Sequence, residues 1–526
     1  MEDTKMIRSH ETEDSNTTHQ KLEAGNQSQP EIRIQMCDLD DDTKFLDQFK
    51  GKSNSNPEMA NSTTNEAPKG IGWLPPILLQ NNQDFVNTYC YPRELPIGPI
   101  YYNKCFKVLG SDQNSKEQSI PARLVRLSEK FNKKYALKIK MATVFIQEYF
   151  SDQNEGEENA LKKINDGIKN IRAAIHTAID ASNEHSLIEN EKLARLLFLD
   201  GCTILQFIRS YILDELLQKF HIDGHQKKVI AEDLFLLQNQ MPLKVIIELL
   251  SNVNNVDKQR ELIGYIASFL HMNNFTTDHS SDYGKSFCEK LLSNYPKNEP
   301  LHLLHLLYCI IRNNSSAHLS PPDARGIQNQ DFRSVEELKS VGIDFEPSRG
   351  GYISFRNRCL SMKGHLKLPS IIVDDRTECK MMNLVAYEMC LPTSTSYFHG
   401  GKYYASGEQP TQYPVTSYVK FMDVLVDRGK DVKELRASRV LRNRLSSDVH
   451  AAKLFNKMGW KCFDPASDLY ANVRKEMEDH CKNNWAMWIA QVRDKHFSSP
   501  WTIVALLAAV LILLLTATQT WYAIRS

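Results

Sequence analysis

Apolar residues recur at helical spacing through the middle of the chain, between residues 118 and 310. Leu124, Leu127 and Phe131, for example, are separated by three and four residues, which places their side chains on one face of a helix. A longer pattern over residues 190–220 is apolar on nearly every side, which is typical of a helix at the centre of a core. Both patterns predict that this part of the chain is an α-helical body.

Pro242 lies in the middle of the apolar pattern 231–253. Because proline lacks an amide proton and clashes with the preceding turn, we expect two helices here rather than one. Gln238 and Asn239 stand beside the break, where their side chains can bond the freed backbone carbonyls. Shorter helical patterns follow at 261–271, 286–295 and 301–312.

The pattern of the chain changes in its C-terminal third. Residues 351–375 alternate between apolar and polar positions and contain glycine and proline turn signals, which predicts two or three short strands. Ser334 and Glu337 form a capping box that predicts a helix start, and Thr377 is predicted to cap another helix. Further helices are predicted at 416–427, 431–445, 447–460 and 468–497. The predicted fold class is therefore mainly α with a small β element.

Composition divides the chain into five parts. Residues 1–70 are polar and carry only two aromatic residues, Phe45 and Phe49, so they are predicted to be a disordered arm. Within this arm, residues 32–49 could hold a short helix or a docking motif. The predicted order is an arm over 1–70, a helical lobe over 71–312, a linker over 313–333, a second lobe over 334–497 with short strands and then helices, and a transmembrane helix over 500–524.

The last stretch of the chain, residues 500–524, has the clearest apolar pattern in the sequence. Trp501 to Ile524 holds no formal charge and, as a helix rising ~1.5 Å per residue, would be about 36 Å long. That length exceeds the ~30 Å hydrocarbon core of a bilayer, and aromatic residues stand at both ends, as is typical of membrane interfaces. The residues expected to form the anchor are Trp501, Leu506, Leu507, Leu511, Leu513, Leu515, Trp521 and Tyr522. The alternative is a buried helix of a soluble fold.

Expectations about topology follow from the two ends of the chain. The N-terminus lacks the apolar core of a secretory signal, and only Arg525 and Ser526 follow the span. We therefore expect a tail-anchored, single-pass protein whose body lies in the cytosol. The 11 cysteines include no CxxC pair, which favours reduced thiols buried in the body. The alternative is a lumenal receptor, which oxidised cysteine pairs or occupied N-glycosylation sequons would support.

Composition narrows the possible functions. Lys+Arg and Asp+Glu both number 64, so no basic surplus points to nucleic acid as a partner. No nucleotide-binding, hydrolase or metalloprotease motif occurs, and no cofactor or catalytic residue is predicted. His302 and His305 share a helix face, but no acid or cysteine nearby completes a metal site, so packing is the better interpretation. The candidates for a site assembled from dispersed acids are Asp200, Asp374, Asp375 and Glu378.

Several sequence blocks, in order, resemble the plant family known as domain of unknown function 247. They include TYCYPRELPIGPIYY (88–102), LDGCTILQF (199–207), DLFLLQNQMPLKVIIEL (233–249) and HLKLPSIIVDDRTECKMMNLVAYE (365–388), as well as the terminal PWTIVALL stretch. The resemblance assigns a structural role to eight residues, namely Gly98, Pro99, Asp200, Gly201, Asn239, Gln240, Pro242 and Asn383. Gln238 stands where the family usually has Glu, Tyr101 and Tyr102 replace a common His-His pair, and the N-terminal arm lies outside the shared pattern.

The resemblance implies a mainly helical plant protein with one membrane span and no established enzymatic activity. Some grass members lie at self-incompatibility loci and are proposed recognition determinants. The leading hypothesis is therefore a non-enzymatic, membrane-anchored recognition or signalling module, with the lipid bilayer and an unknown protein as partners. The competing hypothesis is a membrane-tethered enzyme, which a pocket gathering two of the dispersed acids with a histidine would favour.

Overall fold

The structure is a computed structural model, and it describes only part of the chain. The described residues are 85, 88–101, 131–150, 157–179, 190–253, 255–275, 302–315, 333–348, 352–358, 363–391, 397–399, 402–404, 413–462, 469–482 and 500–525. The predicted arm over 1–70 and the predicted helix at 286–295 lie outside these residues, as does most of the predicted linker over 313–333.

The N-terminal half is a bundle of α-helices, as the apolar pattern predicts. Its elements are α1 (Phe131–Tyr149), α2 (Glu157–Ile179), α3 (Asn190–Leu213), a 3-10 helix (Glu215–Phe220), α4 (Gly224–Asp233), α5 (Leu243–Ser251), α6 (Val256–Asn273) and α7 (Leu303–Ser315). Helix α3 is the centre of the bundle, because α1, α2, α5 and α6 all pack against it. Its side chains are buried on several faces, as Leu197, Cys202 and Phe207 show.

The break predicted at Pro242 is confirmed. Helix α4 ends at Asp233, and α5 begins immediately after Pro242, which occupies the N-cap position. The intervening turn, 234–242, is buried throughout, so its backbone groups need partners from the protein. Those partners are described with the site below.

The second half combines short strands with helices. Its elements are α8 (Val335–Ser340), β1 (Ile343–Ser348), β2 (Ser354–Arg358), β3 (Lys363–Pro369), β4 (Ile371–Val373), α9 (Thr377–Cys390), β5 (Tyr397–His399), β6 (Lys402–Tyr404), α10 (Pro414–Leu425), α11 (Gly429–Ala437), β7 (Leu441–Asn443), α12 (Asp448–Lys461) and α13 (Ala471–Lys482). The capping box of Ser334 and Glu337 starts α8 as predicted. The fold is mainly helical with a small sheet element, which confirms the predicted class.

Three small sheets belong to this half. In the first, β3 lies between β1, to which it is parallel, and β2, to which it is antiparallel. Leu366 of β3 stands opposite Phe345 and Phe355, and all three side chains are buried. In the second sheet β4 pairs with β7 in parallel, and the third is the hairpin of β5 and β6.

Two local predictions in this half are wrong. Thr377 is the first residue of α9 rather than its cap, and Arg376 takes the N-cap position without a side-chain bond. The predicted helix over 431–445 ends at Ala437, because Arg439 adopts a left-handed φ of 62° and residues 441–443 form β7. The strand exists because Leu441 pairs with Ile371, a distant partner that local propensity does not register.

The last described element is helix α14 (Pro500–Arg525). Two described helices are long and apolar enough to cross a membrane, and they differ in burial. In the most apolar part of Glu191–Leu213 in α3, 83% of the residues are buried, so this is a core helix, whereas in that of Leu507–Arg525 in α14 none is buried. Among the anchor residues, Leu507, Leu511, Leu513, Leu515, Trp521 and Tyr522 are between 55% and 75% exposed. Trp501 and Leu506 lie in the helix, but their side chains are not among those described.

Candidate functional site

The segment 88–101 crosses the body and brings the family's sequence blocks together. Its backbone is held by polar side chains that come from α3, from the turn after α4, and from α9. Asp200 of α3 is fully buried, and its two carboxylate oxygens accept from the Lys138 ammonium at 2.7 Å and from the Gly98 amide at 2.9 Å. Asp200 is thus paired with a buried cation and a backbone donor, and it has no access to solvent.

Gly98 is the point of closest approach between this segment and the turn after α4. Its φ of 80° lies in the left-handed region, and a Cβ at this position would overlap the carbonyl oxygen of Gln240. Only glycine satisfies both conditions without strain. The next residue, Pro99, is buried. At Gly201 a Cβ would overlap the Leu249 side chain, so this glycine allows close packing of α3 against α5.

Asn239 and Gln240 provide hydrogen-bond partners for buried backbone amides and carbonyls on both sides of the turn. The Asn239 amide nitrogen donates to the carbonyls of Leu95 (2.9 Å) and Asp233 (2.8 Å), and its oxygen accepts from the Ile97 amide at 2.7 Å. The Gln240 nitrogen donates to two carbonyls of the turn, and its oxygen accepts from the Leu304 amide of α7 at 3.2 Å. Asn239 takes the carbonyl-bonding role expected at this break, and Gln240 takes it as well, while Gln238 is buried beside them.

Asp233 anchors the start of the crossing segment. Its buried carboxylate accepts from the amides of Arg93 (2.9 Å), Glu94 (2.6 Å) and Leu95 (2.9 Å). Burial raises the pKa of Asp233 to about 6, and these three amide donors oppose the rise. A carboxylate enclosed by three backbone amides stabilises the path of the chain.

Asn383 joins the two halves of the molecule. From α9, its oxygen accepts from the Leu237 amide at 2.8 Å, and its nitrogen donates to the carbonyls of Tyr89 (2.9 Å) and Cys379 (2.8 Å). The side chain is fully buried. Because one amide group bonds the segment 88–101, the turn after α4 and its own helix, it fixes the relative positions of all three.

A pocket of about 170 Å³ opens next to this junction. It is lined by Thr88, Tyr89, Tyr91, Arg93, Glu232, Leu236, Asp375, Glu378 and Cys379. The lining comes from three of the sequence blocks that carry the family resemblance. Two of the acids proposed from sequence, Asp375 and Glu378, therefore share one pocket, and Glu232 joins them.

The charged groups around the pocket are paired across elements. The Tyr89 hydroxyl donates to Glu378, and the Arg93 guanidinium pairs with Glu232. From the neighbouring helix α12, Lys457 reaches Glu378 at 2.7 Å and Lys461 donates to the Tyr89 oxygen at 3.0 Å. Two carboxylates, those of Glu232 and Glu378, are thus paired with cations in the same small region, and α12 lies beside it.

The groups in this pocket that could react are held in their protonated forms. Burial, with Glu378 as hydrogen-bond partner and neighbouring charge, raises the pKa of Tyr89 well above its ordinary value. Burial and the nearby Glu232 carboxylate also raise the pKa of the Cys379 thiol. A lowered pKa is one way to activate a nucleophile, and neither group shows one, although each has a carboxylate beside it.

Several residues proposed from sequence lie outside the pocket. Asp374 pairs with Arg376 at 2.9 Å and bonds the Thr377 hydroxyl at 3.1 Å, which organises the start of α9. His302 and His305 pack against Tyr387 in the core, and burial lowers the pKa of His302 to about 3 and of His305 to about 4. Neither histidine lines the pocket.

Sequence reasoning missed most of the pocket. No sequence pattern points to Tyr89, Arg93 or Glu232, although they lie within or beside the recognised blocks. Lys457 and Lys461 lie on a helix with no recognised motif. Their proximity depends on contacts between residues hundreds of positions apart.

Within the described part of the chain, no three His, Cys, Asp or Glu side chains come together in a way that could hold a metal ion.

Comparison with known proteins gives one family and a few relatives. The sequence model of the domain of unknown function 247 family, described as a plant protein of unknown function, matches residues 76–515. A putative UPF0481 protein of Arabidopsis thaliana is 31% identical over 186 residues, which are 35% of this chain and 32% of that protein. A UPF0481 protein of the same plant is 23% identical over 411 residues, 74% of this chain and 78% of that protein.

The chain thus aligns with about a third of the length of the first relative. No solved structure matches it significantly. These features define the class of protein. Its body is mainly helical and is organised by a buried polar junction, and an exposed apolar helix is long enough to span a membrane. The chain belongs to the plant family domain of unknown function 247, since the family match covers most of its length.

Proposed function

We propose that this protein is a single-pass membrane protein whose helical body serves as a recognition or signalling module. The observation that carries the proposal is helix α14, which offers a continuous apolar surface to its surroundings. Val504, Leu507 and Leu514 are 56% to 64% exposed, whereas large apolar side chains in the body are mostly buried. An exposed apolar surface of this length is unfavourable in water and favourable in a bilayer.

The chemistry of the pocket supports binding rather than catalysis. Two of its acids, Glu232 and Glu378, are engaged by Arg93, Tyr89 and Lys457, and burial raises the pKa of its thiol. The competing proposal of a tethered enzyme would need an acid together with a histidine, and the described lining brings together three acids without one. A pocket that joins paired charges, tyrosine rings and an open volume is suited to receiving a polar group of a partner.

The orientation that we propose places the body in the cytosol. The seven cysteines in the described residues are all free, and Cys90, Cys202, Cys462 and Cys481 are buried. Reduced thiols are the ordinary state in the cytosol. Arg493, Lys495 and Lys482 lie on the body side of the span, and the positive-inside rule places such residues in the cytosol.

Removal of residues 500–526 tests the anchor. We expect the truncated protein to leave the membrane fraction after a carbonate wash, because the lost helix supplies the apolar surface that holds it there. Flotation on a density gradient should be used as well as pelleting, since aggregated protein pellets but does not float. Circular dichroism of the released protein should show that the helical body is retained.

Two substitutions within the span provide a matched comparison. The double substitution Leu511→Arg and Leu514→Arg places two charges near the middle of the helix. Each should make the free energy of insertion less favourable by roughly 3 kcal/mol, which should prevent stable insertion. Ile524→Ser, near the end of the span, should leave the protein floating with the membranes. A truncated protein that still floats after the carbonate wash would show that α14 is not the anchor.

A further inference from the structure

The elements α11, β7 and α12 carry a concentrated positive charge. Residues 428–461, which contain all three elements, hold ten lysines and arginines and only three acidic residues, although the chain as a whole is neutral. Five of these cations are exposed and make no ion pair with any residue that the structure describes, namely Lys433, Arg439, Arg442, Arg444 and Lys453. This part of the body therefore has a surplus of accessible positive charge.

The acids in and around this region do not cancel the surplus. Asp431 is buried and accepts from the Arg428 and Glu336 amides at the start of α11. Other acids in contact with these elements are paired with cations or partly buried, namely Asp427 with Arg428, Glu336 with Lys430, Glu434 with Lys339, Asp448 with Arg436, Glu378 with Lys457, and Asp423 against Gly459. The uncompensated charge is therefore cationic.

Contacts between the three elements gather these cations around the N-terminal end of α12. The start of α11 lies against Val449, since a Cβ at Gly429 would be 2.9 Å from the Val449 side chain. Arg436 of the last turn of α11 pairs with Asp448 at 3.4 Å. Asn443 of β7 donates to the same carboxylate at 2.9 Å. Cations from α11, β7 and α12 therefore belong to one continuous part of the surface.

An exposed face of α12 continues from this cationic region. Trp460 is 83% exposed and Val449 is 55% exposed, which is unusual for large apolar residues of the body. Lys453 and Lys457 lie between them at helical spacing on the same side of the helix. Val449 and Trp460 are about 17 Å apart along the helix axis. We call this face, together with the five unpaired cations, the basic surface.

The combination of distributed cations and an exposed indole is typical of a protein surface that contacts anionic lipid. Tryptophan is enriched at membrane interfaces, and lysine can cover apolar surface with its stem while its charge stays among the headgroups. Each Lys or Arg near an anionic leaflet strengthens the attraction about fivefold. Cations distributed over three elements match an extended array of headgroups better than they match a single acidic side chain.

The anchor proposed for this protein brings such a leaflet to the body. Residues 462–499, 38 in number, separate the end of α12 from the start of α14, so α12 stays within that length of chain from the membrane. With the body in the cytosol, the leaflet that faces it is the one that carries phosphatidylserine. Because the anchor already confines the body to the membrane, weak headgroup contacts are sufficient to orient it.

We propose that the basic surface docks on the anionic leaflet of the membrane that α14 spans, with Trp460 in the headgroup region. The inference rests on the function proposed above, because it takes from there both the bilayer and the side on which the body lies. Docking also places the pocket beside the membrane, since Lys457 of the basic surface pairs with Glu378 of the pocket lining at 2.7 Å. A partner of the pocket is then a group carried close to the membrane surface.

Quenching of tryptophan fluorescence by spin-labelled lipid tests this inference on the full chain. The protein is reconstituted in nanodiscs of phosphatidylcholine alone and in nanodiscs that also hold about 30% phosphatidylserine. The signal of Trp460 is the difference between the natural protein and W460F, because the chain has six tryptophans. We expect Trp460 to be quenched about threefold more in the phosphatidylserine nanodiscs. Salt at about 0.5 M should remove the difference by screening the charges.

Charge reversal identifies the groups responsible. The triple variant Arg442→Glu, Arg444→Glu and Lys453→Glu changes exposed residues that have no described ion pair. It should reduce the quenching of Trp460 in phosphatidylserine nanodiscs to the level seen in phosphatidylcholine, because each lost cation alone weakens docking about fivefold. Circular dichroism should show that the variant keeps its helical content.

The matched control is the triple variant Lys162→Glu, Lys169→Glu and Lys228→Glu. It changes the net charge by the same amount, at exposed positions of α2 and α4. Quenching of Trp460 should stay as in the natural protein. An equal loss of quenching in the two triple variants would show that net charge alone is responsible, and it would overturn the inference.

Failure of the docking and failure of the anchor give different results. A protein that does not enter the nanodiscs overturns the anchor and the docking together. A protein that enters them but leaves Trp460 unquenched in both lipid mixtures overturns the docking alone, and this is the result expected if an acidic protein or a second copy is the occupant. Equal quenching in both mixtures also overturns the inference, because anionic headgroups are then not recognised.

Discussion

At the scale of single residues, buried polar groups determine how the segment 88–101 runs. Asp233, Asn239 and Asp200 together accept from all five backbone amides between Arg93 and Gly98, because Pro96 has none. Residues 90–97 have no regular secondary structure and cannot satisfy their own amides, so these side chains supply the hydrogen-bond partners. Each bond is specific in position, and therefore the segment has one path across the body.

Gly98→Ala tests how tightly that path is determined. The left-handed φ of 80° and the overlap of the new Cβ with the Gln240 carbonyl oxygen both oppose the substitution. We expect it to lower the free energy of unfolding by at least about 2 kcal/mol, measured by chemical denaturation in detergent.

Gly264→Ala is the matched control for this change. Gly264 lies inside helix α6, and nothing stands within 4 Å of the Cβ position. Alanine should therefore raise the free energy of unfolding by roughly 0.5–1 kcal/mol through its better helix propensity. Equal effects of the two substitutions would argue against a special role for Gly98.

At the scale of elements, helix starts depend on side chains from other helices. Glu388 of α9 accepts from the Val415 and Thr416 amides, both at 2.8 Å, and from the Thr416 hydroxyl at 2.6 Å. These amides belong to the first turn of α10 and have no partner within their own helix. The carboxylate thus ties α9 to α10, and it does so while fully buried.

The contribution of Glu388 to stability should depend on pH. Burial raises the pKa of Glu388 to about 7, while the three hydrogen bonds oppose the rise. The folded state therefore binds a proton more tightly than the unfolded state, in which the pKa is about 4.5. Protonated Glu388 therefore contributes its full share to the stability of the fold below pH 4.5, and this contribution is lost as the pH rises through 7.

Glu388→Gln isolates this effect, because glutamine does not titrate. Between pH 4.5 and pH 7 the stability of the natural protein should fall relative to E388Q, by roughly 3 kcal/mol in total. Melting temperatures across this range measure the difference. The control is E337Q, an amide substitution at the exposed start of α8, and a pH-independent difference for E388Q would contradict the assignment.

At the scale of the whole molecule, one hydrophobic core runs through both predicted lobes. It extends from Phe85 through α3 and α9 to Cys481. Asn383 lies where the two parts meet and bonds elements of each. The boundaries predicted for the lobes stay a prediction, but the continuous core implies that the lobes stabilise each other.

Asn383→Ala should therefore loosen both parts of the body together. The loss of three buried hydrogen bonds leaves their partners buried and unsatisfied, which should cost about 2–4 kcal/mol. Hydrogen exchange should become faster in α3 and in α9 to a similar extent. Asn456→Ala, which removes a single bond to the Asp427 carbonyl, is the control. Faster exchange confined to α9 would show that the lobes unfold independently.

Local patterns in the sequence are sufficient to predict much of the fold. The helices α3, α5 and α10, the break at Pro242 and the spanning length of α14 all follow from periodicity or from one residue's covalent geometry. The end of α11 and the strand β7 do not, because they depend on pairing with β4, 70 positions away at Leu441 and Ile371.

The sequence by itself determined the class of fold, the apolar helix and the family, because these depend on neighbouring residues and on recurring blocks. Only the tertiary structure decided that Asp200 is a buried ion-pair member and that Asp375 and Glu378 share a pocket with Glu232 and Arg93. Such groups meet through contacts between distant parts of the chain. Their environment, and hence their chemistry, is a property of the packed body rather than of any local pattern.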